Sequence, residues 1–597
     1  MKGNKKRPRD GAGSETTHVP AAASTANTEK YDAFFQFLLG VTEREFFHTY
    51  FEKKPLHFKR SGPADFFRNT TPPLCSSPLQ WSGDLMRRVC RDKSLMFTTD
   101  INIVKYKQDE KKRVPFQLSG RVDEPTLSAC IKEGWSVRFL RPHEHSPSMA
   151  EFVSTIEEVF QCSSGVNSYW TPKGSQGFAP HYDDVDVFLL QLEGSKRWRL
   201  HEAPLPSDRL SRHSSEDYKP NEIGPAMITT TLRAGDVLYM PRGTVHQGDT
   251  YATDPQEDSL HVTFSAFQMH SMADMLLRIT QFQIETLAAN NVDWRLSFNW
   301  RDQSVGGCTR RRFPRTVSVG TAVRTTNLMR SVLPMITTTL RAGDVLYMPR
   351  GTVHQGDTYA TDPQEDSLHV TFSAFQMHSM ADMLLRITQF QIETLAANNV
   401  DWRRGVPRSW FRTLGAAYGR GFAEETGVCA LHPQDASVRA ANLKRIRTLV
   451  TELNDALQSA AAIDNGVDRY ALDVLAKAQP PVATSGLNAT VEYPTLTIDH
   501  CVKLASSNCL RLVMYVPEEA QVFHNGHNSR VCLETSLGHL RFEREFAAAV
   551  ATLMSSFPTA VRVGDLPMPF EEEQDANDNR LLLVQSLLEA RVLVVAK

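Results

Sequence analysis

No run of apolar residues in this sequence approaches the roughly twenty that a membrane-crossing helix requires, so no helical membrane span is expected. The N-terminus lacks the hydrophobic core of a secretory signal. Nine cysteines form no CxxC pair and keep no regular spacing, which removes a disulfide framework and a zinc ribbon and points to a reducing compartment. Net charge is scarce too. The 66 Lys and Arg against 68 Asp and Glu leave −2, which gives no support for a broad electrostatic nucleic-acid surface. What is there is a 597-residue chain, 41% hydrophobic, long enough for several domains. One local exception to the balanced charge is the cluster Lys5, Lys6, Arg7 and Arg9, on a Ser/Thr/Ala-rich tail spanning 1–30. It reads either as solvated charge on a disordered segment or as a nuclear-import signal.

An internal repeat precedes any argument about fold. Residues Met227 to Arg295 recur without a change as Met335 to Arg403, 69 of 69 residues at an offset of 108. Structural repeats are similar rather than identical, so perfect identity points to duplicated DNA. The spacer 296–334 supports this. When the codons of the segment before the first copy are read from their second base, Leu192-Glu193 can encode Trp300 and Asn221-Glu222 can encode Met329. Every position from Ser297 to Leu333 passes the same check at the same offset. The seven spacer arginines are therefore a by-product of reading frame, not a nucleic-acid patch. On this reading 296–403 is a tandem insertion, 335–403 being the second copy of 227–295, and removing 108 of 597 residues leaves a 489-residue protein.

Two helical patterns lie in 31–60, and the step at Pro55 turns helix to strand. Residues 95–200 alternate polar and apolar with frequent turns, and Gly194-Ser195 is expected to close a hairpin in VFLLQLEGSKRWRL. DVLYMP and LHVTFSAF continue the strands, so a β-sandwich or jelly roll is expected, followed by an amphipathic helix over 270–290. After the insertion, 408–476 reads as mainly helical. Short strands and two helices close the chain in a pattern like a small winged helix.

The chemistry sits in two segments. In APHYDDVDVF, placed on a strand, His181 and Asp183 project to one side and Tyr182 to the other. A lone HxD is weak, but AGDVLYMPRGTVHQ supplies a strand and turns that hand His246 back towards it. Two histidines and a carboxylate on one face leave three metal positions open, the facial arrangement of non-haem Fe(II) oxygenases, whose open positions take a 2-oxo acid and dioxygen. The distal carboxylate of such an acid needs a cation. Lys196 shares a face with Trp198 and Leu200 and is the candidate, because a buried ammonium must find an anion or lose its charge. Asn167 and Tyr169 share a face one strand earlier, and Thr263 offers a hydroxyl.

These residues carry a resemblance. The stretch NSYWTPKGSQGFAPHYDDVDVFLLQLEGSKRWRL, with GDVLYMPRGTVHQ and LHVTFSAFQ, closely resembles the JmjC ribosomal oxygenases, nuclear or nucleolar histidyl hydroxylases of ribosomal proteins. Some members are also described as histone lysine demethylases. The resemblance runs over about 31–295 and, more faintly, 404–597; RGVPRSWF at 404–411 looks like the segment that follows the post-barrel helix. It implies an α+β protein: a double-stranded β-helix of the cupin (jelly-roll) JmjC kind at 31–295, a helical dimerisation domain at 404–490 and a winged-helix-like module at 491–597. It implies Fe(II) on His181, Asp183 and His246, and 2-oxoglutarate on Lys196 with Tyr169, Asn167 and Thr263 in support. It also implies Arg138 near a substrate groove, a ribosomal protein or histone as substrate, dioxygen as co-substrate, a homodimer, and residence in the nucleus or nucleolus. No nucleic-acid binding is inferred from the winged helix.

Because copy two begins after the HxD segment, His354 arrives without partners, and His246 is expected at the metal. The rivals are demethylation of a methyl-lysine at the same site, a cupin scaffold without turnover, and a metal-dependent cupin isomerase. The isomerase would need a further ligand beside His181, and none is seen.

Overall fold

The computed structural model describes residues 23–116, 119–253, 256–266, 270–290, 316–318, 337–348, 352–358, 366–372, 379–481, 495–528 and 537–596. The basic cluster of the tail and nearly all of the spacer 296–334 lie outside them. The chain divides into two compact units, one made of residues 1–286 with 384–597 and the other of 287–383.

The N-terminal part of the first unit, up to residue 286, has eleven strands among the described residues: β1 (Leu56–Phe58), β2 (Ile101–Lys107), β3 (Lys112–Pro115), β4 (Ser136–Leu140), β5 (Ser164–Thr171), β6 (Asp186–Glu193), β7 (Ser195–His201), β8 (Ile228–Arg233), β9 (Val237–Met240), β10 (Val245–Asp249) and β11 (Ser259–Ala266). Eight of them form one sheet in the order β1-β9-β6-β11-β5-β4-β2-β3, and a second sheet runs β10-β7-β8. All pairings are antiparallel. β6 has seven of its eight residues buried, so both of its faces are covered.

Gly194 does sit at a turn, with φ of +61°, but β6 and β7 do not pair as a hairpin; they belong to different sheets. A Cβ at Gly194 would stand 2.0 Å from the Asp258 carbonyl oxygen. The backbone therefore turns a tight corner that only glycine permits, and the chain passes from one sheet to the other.

Helices cover the outer side of the large sheet. α1 (Ala23–Leu39) buries Phe34, Phe35 and Leu38. α2 (Pro147–Phe160) starts at Ser146, whose hydroxyl accepts the N–H of Met149. It packs Phe152 against Phe264 with ring centroids 4.7 Å apart, and Phe160 against Phe188 at 5.0 Å. A buried ion cluster locks the base of this core. Arg242, 2% exposed, meets Asp186 at 3.0 Å and Glu52 at 2.7 Å, and donates to the Arg403 carbonyl at 3.0 Å.

The two copies of the repeat are used differently. Barrel strands β8 to β11 come from the first copy. The identical helices α3 (Met272–Asn290) and α4 (Met380–Asn398) both form. The apolar cluster beside the barrel combines Met272, Ala273 and Leu276 from the start of α3 with Ile392 and Ala396 from the end of α4. It is completed by Trp402, Val406, Leu449 and Leu453, the last two from α5 (Ala436–Leu457). α6 (Ala460–Lys477) follows. The second compact unit spans 287–383 and overlaps the expected insertion 296–403.

At the C-terminus, Cys501–Leu504 pairs with Val561–Arg562 and Leu593–Val595, and Leu510–Val513, Glu519–His524 and Gly538–Glu543 form a second small sheet. α7 (Ala547–Ser556) and α8 (Glu573–Glu589) share its core through Ala549, Val550, Leu553, Leu583, Val584 and Leu587. After the helix, Leu593–Val595 adds a strand. Among the described residues no helix is long and apolar enough to cross a membrane.

Candidate metal centre

His181 and Asp183 do not lie on a strand, as the i, i+2 argument assumed. They occupy the segment just before β6, which an isolated bridge between His181 and His246 ties to β10. The His246 N–H donates to the His181 carbonyl at 2.8 Å and the His181 N–H to the His246 carbonyl at 3.2 Å. One further bond, from the Gly243 N–H to the Asp183 carbonyl at 3.0 Å, holds the carboxylate-bearing turn. The side chains converge as a result. Ligand atoms of His181, Asp183 and His246 lie within 4.8 Å of one another. His181 Nε2 stands 3.9 Å, and His246 Nε2 3.7 Å, from the Asp183 oxygens.

Both imidazoles are oriented from behind. His181 Nδ1 meets the Ala179 carbonyl at 2.8 Å and His246 Nδ1 the Thr244 carbonyl at 2.9 Å. A carbonyl only accepts, so each Nδ1 carries the proton and each Nε2 presents a lone pair towards Asp183. Burial and the adjacent His181 push the His246 imidazole down to about 4, which keeps it neutral and able to ligate. Two imidazole nitrogens and one carboxylate at this spacing suit a divalent metal of the iron type and leave positions open.

His354, by contrast, is solvent-exposed, and its Nδ1 contacts its own Thr352 carbonyl at 2.9 Å. It is His246 that stands beside His181.

Six rings close a circle around the centre. His181 neighbours Phe178 (5.9 Å between centroids), Phe178 neighbours Tyr169 (5.6 Å), and Tyr169 stacks on His261 (4.9 Å). His261 meets Trp198 edge-on at 5.4 Å, Trp198 meets His246 at 6.0 Å, and His246 returns to His181 at 4.6 Å. Lys196 reaches this wall from β7, 4% exposed, with its Nζ 5.0 Å over the Trp198 ring and donating to Thr171 Oγ1 at 2.8 Å. The neighbouring carboxylate of Asp249 is already held by Arg197 at 3.1 Å and Arg199 at 2.9 Å. Burial pushes the Lys196 amine down to about 7, Asp249 opposing. A buried amine without its own carboxylate, beside a buried His261 Nδ1 that has no partner, suits an anionic ligand.

The supporting residues also share this wall. Pairing of β5 with β4 and β11 sets Arg138 and His261 opposite Tyr169, and Thr263 opposite Asn167. The Asn167 amide, turned to satisfy both ends, accepts from Arg138 Nη2 at 3.1 Å and donates to the Val166 carbonyl at 3.2 Å. Arg138 lines a cavity of about 400 Å³ together with Asn102, Val104, Arg113, Phe178 and Asp217. His261, Thr171, Phe178 and Gly248 escaped the sequence reading. A Cβ at Gly248 would fall 2.9 Å from Lys196 Cε and 3.0 Å from the Trp198 ring, so this position leaves room for the lysine stem. His261 was within reach, since it precedes Thr263 by two residues on one strand and shares its face.

The JmjC domain family model matches residues 138–275 and 317–383, and the model for the C-terminal winged helix domain of ribosomal oxygenase 1 matches 477–597. A bifunctional lysine-specific demethylase and histidyl-hydroxylase of Drosophila mojavensis is 38% identical over 236 residues, 40% of this chain and 25% of that protein. Ribosomal oxygenase 1 of Danio rerio is 32% identical over 268 residues, 45% of this chain and 46% of its own length. A Dictyostelium discoideum protein with the demethylase and hydroxylase name is 35% identical over 252 residues, 42% of this chain and 46% of its own. The chain thus spans a quarter to just under half of these relatives. Among solved structures, the Escherichia coli ribosomal oxygenase YcfD with cobalt and 2-oxoglutarate is similar at 13% identity and a TM-score of 0.29, over 94% of this chain and 99% of that one.

Proposed function

The chain carries a JmjC domain and ends in the winged helix domain of ribosomal oxygenases, and from that premise we propose that it is an Fe(II)- and 2-oxoglutarate-dependent protein hydroxylase acting on a histidine of a ribosomal protein. One observation carries the reading: two imidazoles and a carboxylate within 4.8 Å of one another stand in the same ring of side chains as a buried amine that lacks its own carboxylate. His181, Asp183 and His246 would hold the metal, and Lys196, with Thr171, would hold the distal carboxylate of the oxo acid. Iron with 2-oxoglutarate and dioxygen supplies the chemistry that converts a C–H to a C–OH while the oxo acid leaves as succinate and carbon dioxide.

The protein's share is orientation and exclusion of water. Ala179 and Thr244 fix the tautomers that aim both Nε2 atoms at one point. Trp198, His261, Tyr169 and Phe178 line one side of the centre. Tyr169, its hydroxyl raised in pKa by burial, stays neutral and can only share a proton. Asn167 and Thr263 support the oxo acid on this reading, and the cavity beside Arg138 receives the substrate peptide.

The test is Fe(II)-dependent succinate formation with two peptide sets, one from ribosomal proteins and one of methylated histone tails. A gain of 16 Da on a ribosomal peptide is expected, and its loss in His181→Ala. A loss of 14 Da on the histone set alone would replace hydroxylation by demethylation. Absence of succinate with all peptides, despite bound metal, would leave a binding scaffold. The same reading assigns the chain to the nucleus and nucleolus, and assigns pairing between copies through 404–490 to the form without inserted residues.

A further inference from the structure

A cavity of about 420 Å³ shares no lining residue with the metal centre or with the groove beside Arg138. Three stretches of sequence build it. The first is the helical turn Phe46–Tyr50 and the residues just after it, which precede β1. The second is RGVPRS at 404–409, returning from α4. It is pinned where the Gly405 N–H donates to Glu52 Oε1 at 2.5 Å and the Val406 N–H to the His270 carbonyl at 3.0 Å. The third is α5, which contributes Arg445. Phe47, Phe51, Val406 and Pro407 supply apolar surface, and Lys53, Arg404, Arg408 and Arg445 supply charge.

Against these four cations the lining holds one carboxylate, Glu52, and it is already committed. Its Oε1 accepts from Arg242 at 2.7 Å as well as from Gly405, and Arg404 comes only to 3.9 Å from its Oε2. The acids just outside are spent in the same way. Asp401 takes Arg404 Nε at 2.8 Å, and Glu43 takes Arg408 Nη1, while Arg408 Nε is buried with no partner. Lys53 reaches only the His48 carbonyl. Arg445 is half-buried, yet among the described residues it makes no hydrogen bond and no ion pair. Burial pushes its guanidinium below the ordinary value, with Glu52 and Asp401 opposing and Arg404 adding to the fall. A cation drawn out of water without a partner costs free energy that an anion would return.

We propose that this cavity is a binding site for a phosphate dianion, with Arg445 as its main contact and Lys53 and Arg404 in support. Charge decides between phosphate and carboxylate. A phosphate monoester carries about −1.5 to −2 at neutral pH and so answers both Lys53 and Arg445, whereas a single carboxylate answers one. The guanidinium fork also matches the phosphate oxygens. The volume lies in the range of small-ligand sites, about 300–1,000 Å³, and the four apolar residues give the body of an ester somewhere to rest.

Calorimetric titration of the full chain in phosphate-free buffer tests this with inorganic phosphate, phenyl phosphate and benzoate. The oxo-acid site also attracts dianions, so each titration is repeated in Lys196→Met. One phosphate per chain is expected to bind, unchanged in Lys196→Met, with benzoate at least about tenfold weaker. Arg445→Gln and Lys53→Met should each weaken phosphate at least about tenfold, and Arg445→Lys should recover part of the loss. Tighter binding of phenyl phosphate supports the site as one for a phosphate ester, and equal binding supports it as one for free phosphate. No binding of either phosphate overturns the proposal. So do benzoate binding as tightly as phosphate, a folded Arg445→Gln protein that matches wild type, or binding that vanishes in Lys196→Met. Should Arg445→Gln not fold, Lys53→Met decides at an exposed side chain: weakened binding supports the site, and unchanged binding refutes it.

Discussion

Replacing Lys196 by Met removes an ammonium and keeps the length of the stem. If the amine holds the distal carboxylate of 2-oxoglutarate, the variant loses a charge-assisted bond in a buried site and leaves the ligand's carboxylate unpaired. Truncating one partner of such a pair costs about 2–5 kcal/mol, which is roughly thirtyfold to several thousandfold in affinity. The pH dependence gives a second handle. Burial pushes the free amine down to about 7, and a bound carboxylate raises it. Below pH 7 the amine is already charged and affinity is flat. Between pH 7 and the higher pKa of the complex, binding must take up a proton, and affinity falls by up to about tenfold per pH unit. The ligand-free protein should behave in the opposite sense. Its lysine is lowered relative to the unfolded chain, so the desolvation cost is in full force below pH 7 and disappears as pH rises to about 10. Lys196→Met should therefore raise the thermal midpoint at pH 6.5 while it weakens the ligand. The assay is calorimetric titration of the anaerobic Fe(II) protein with 2-oxoglutarate from pH 6 to 9. A variant within threefold of wild type in affinity, at unchanged metal content, would refute the reasoning.

Other substitutions divide the two copies and the packing. His246→Ala should weaken Fe(II) binding by more than about a hundredfold, above what loss of an outer partner alone costs, and His354→Ala should leave it unchanged; metal titration separates them. Gly248→Ala places a methyl 2.9 Å from Lys196 Cε, and should raise KM for 2-oxoglutarate while metal affinity holds. Arg242→Met leaves Glu52 and Asp186 buried without their guanidinium and should cost about 3–5 kcal/mol, read by urea unfolding of the substrate-free protein. Burial works to raise the Asp236 carboxyl, but His57 and the N–H groups of Arg233 and Arg60 outweigh it and hold it low. Its contribution is present above about pH 4 and is lost as pH falls through the depressed value, so Asp236→Asn should flatten the acid limb of a stability profile.

The metal residues were legible because their signal is chemical and local: HxD, then a histidine after a strand and a Pro-Arg-Gly turn. Alternation sets Asn167 and Tyr169 on one face of their strand, and the pairing of β5 with β11 then brings Thr263 opposite Asn167. What sequence could not reach was pairing at a distance. Gly194 signals a turn equally well for a hairpin and for a corner, and only the approach of the Asp258 carbonyl decides between them. His261 gave no motif, since its place in the circle of rings depends on partners from β5 and β7. The use of the repeat was hidden for a different reason. Two identical segments have identical propensities, so only geometry could assign strands to one copy and the docked helix to the other.

That assignment makes the two copies unequal under mutation. A hydrophobic residue of the first copy's strands, such as Val262 or Phe264, is wholly buried, whereas its twins Val370 and Phe372 are 74% and 92% exposed. Along the helices the burden reverses, with Ile387 enclosed and Ile279 open. A random substitution therefore harms stability in the front of one copy and the back of the other. Over time drift should erode the idle half of each, until the sequence itself records where the chain crosses between them.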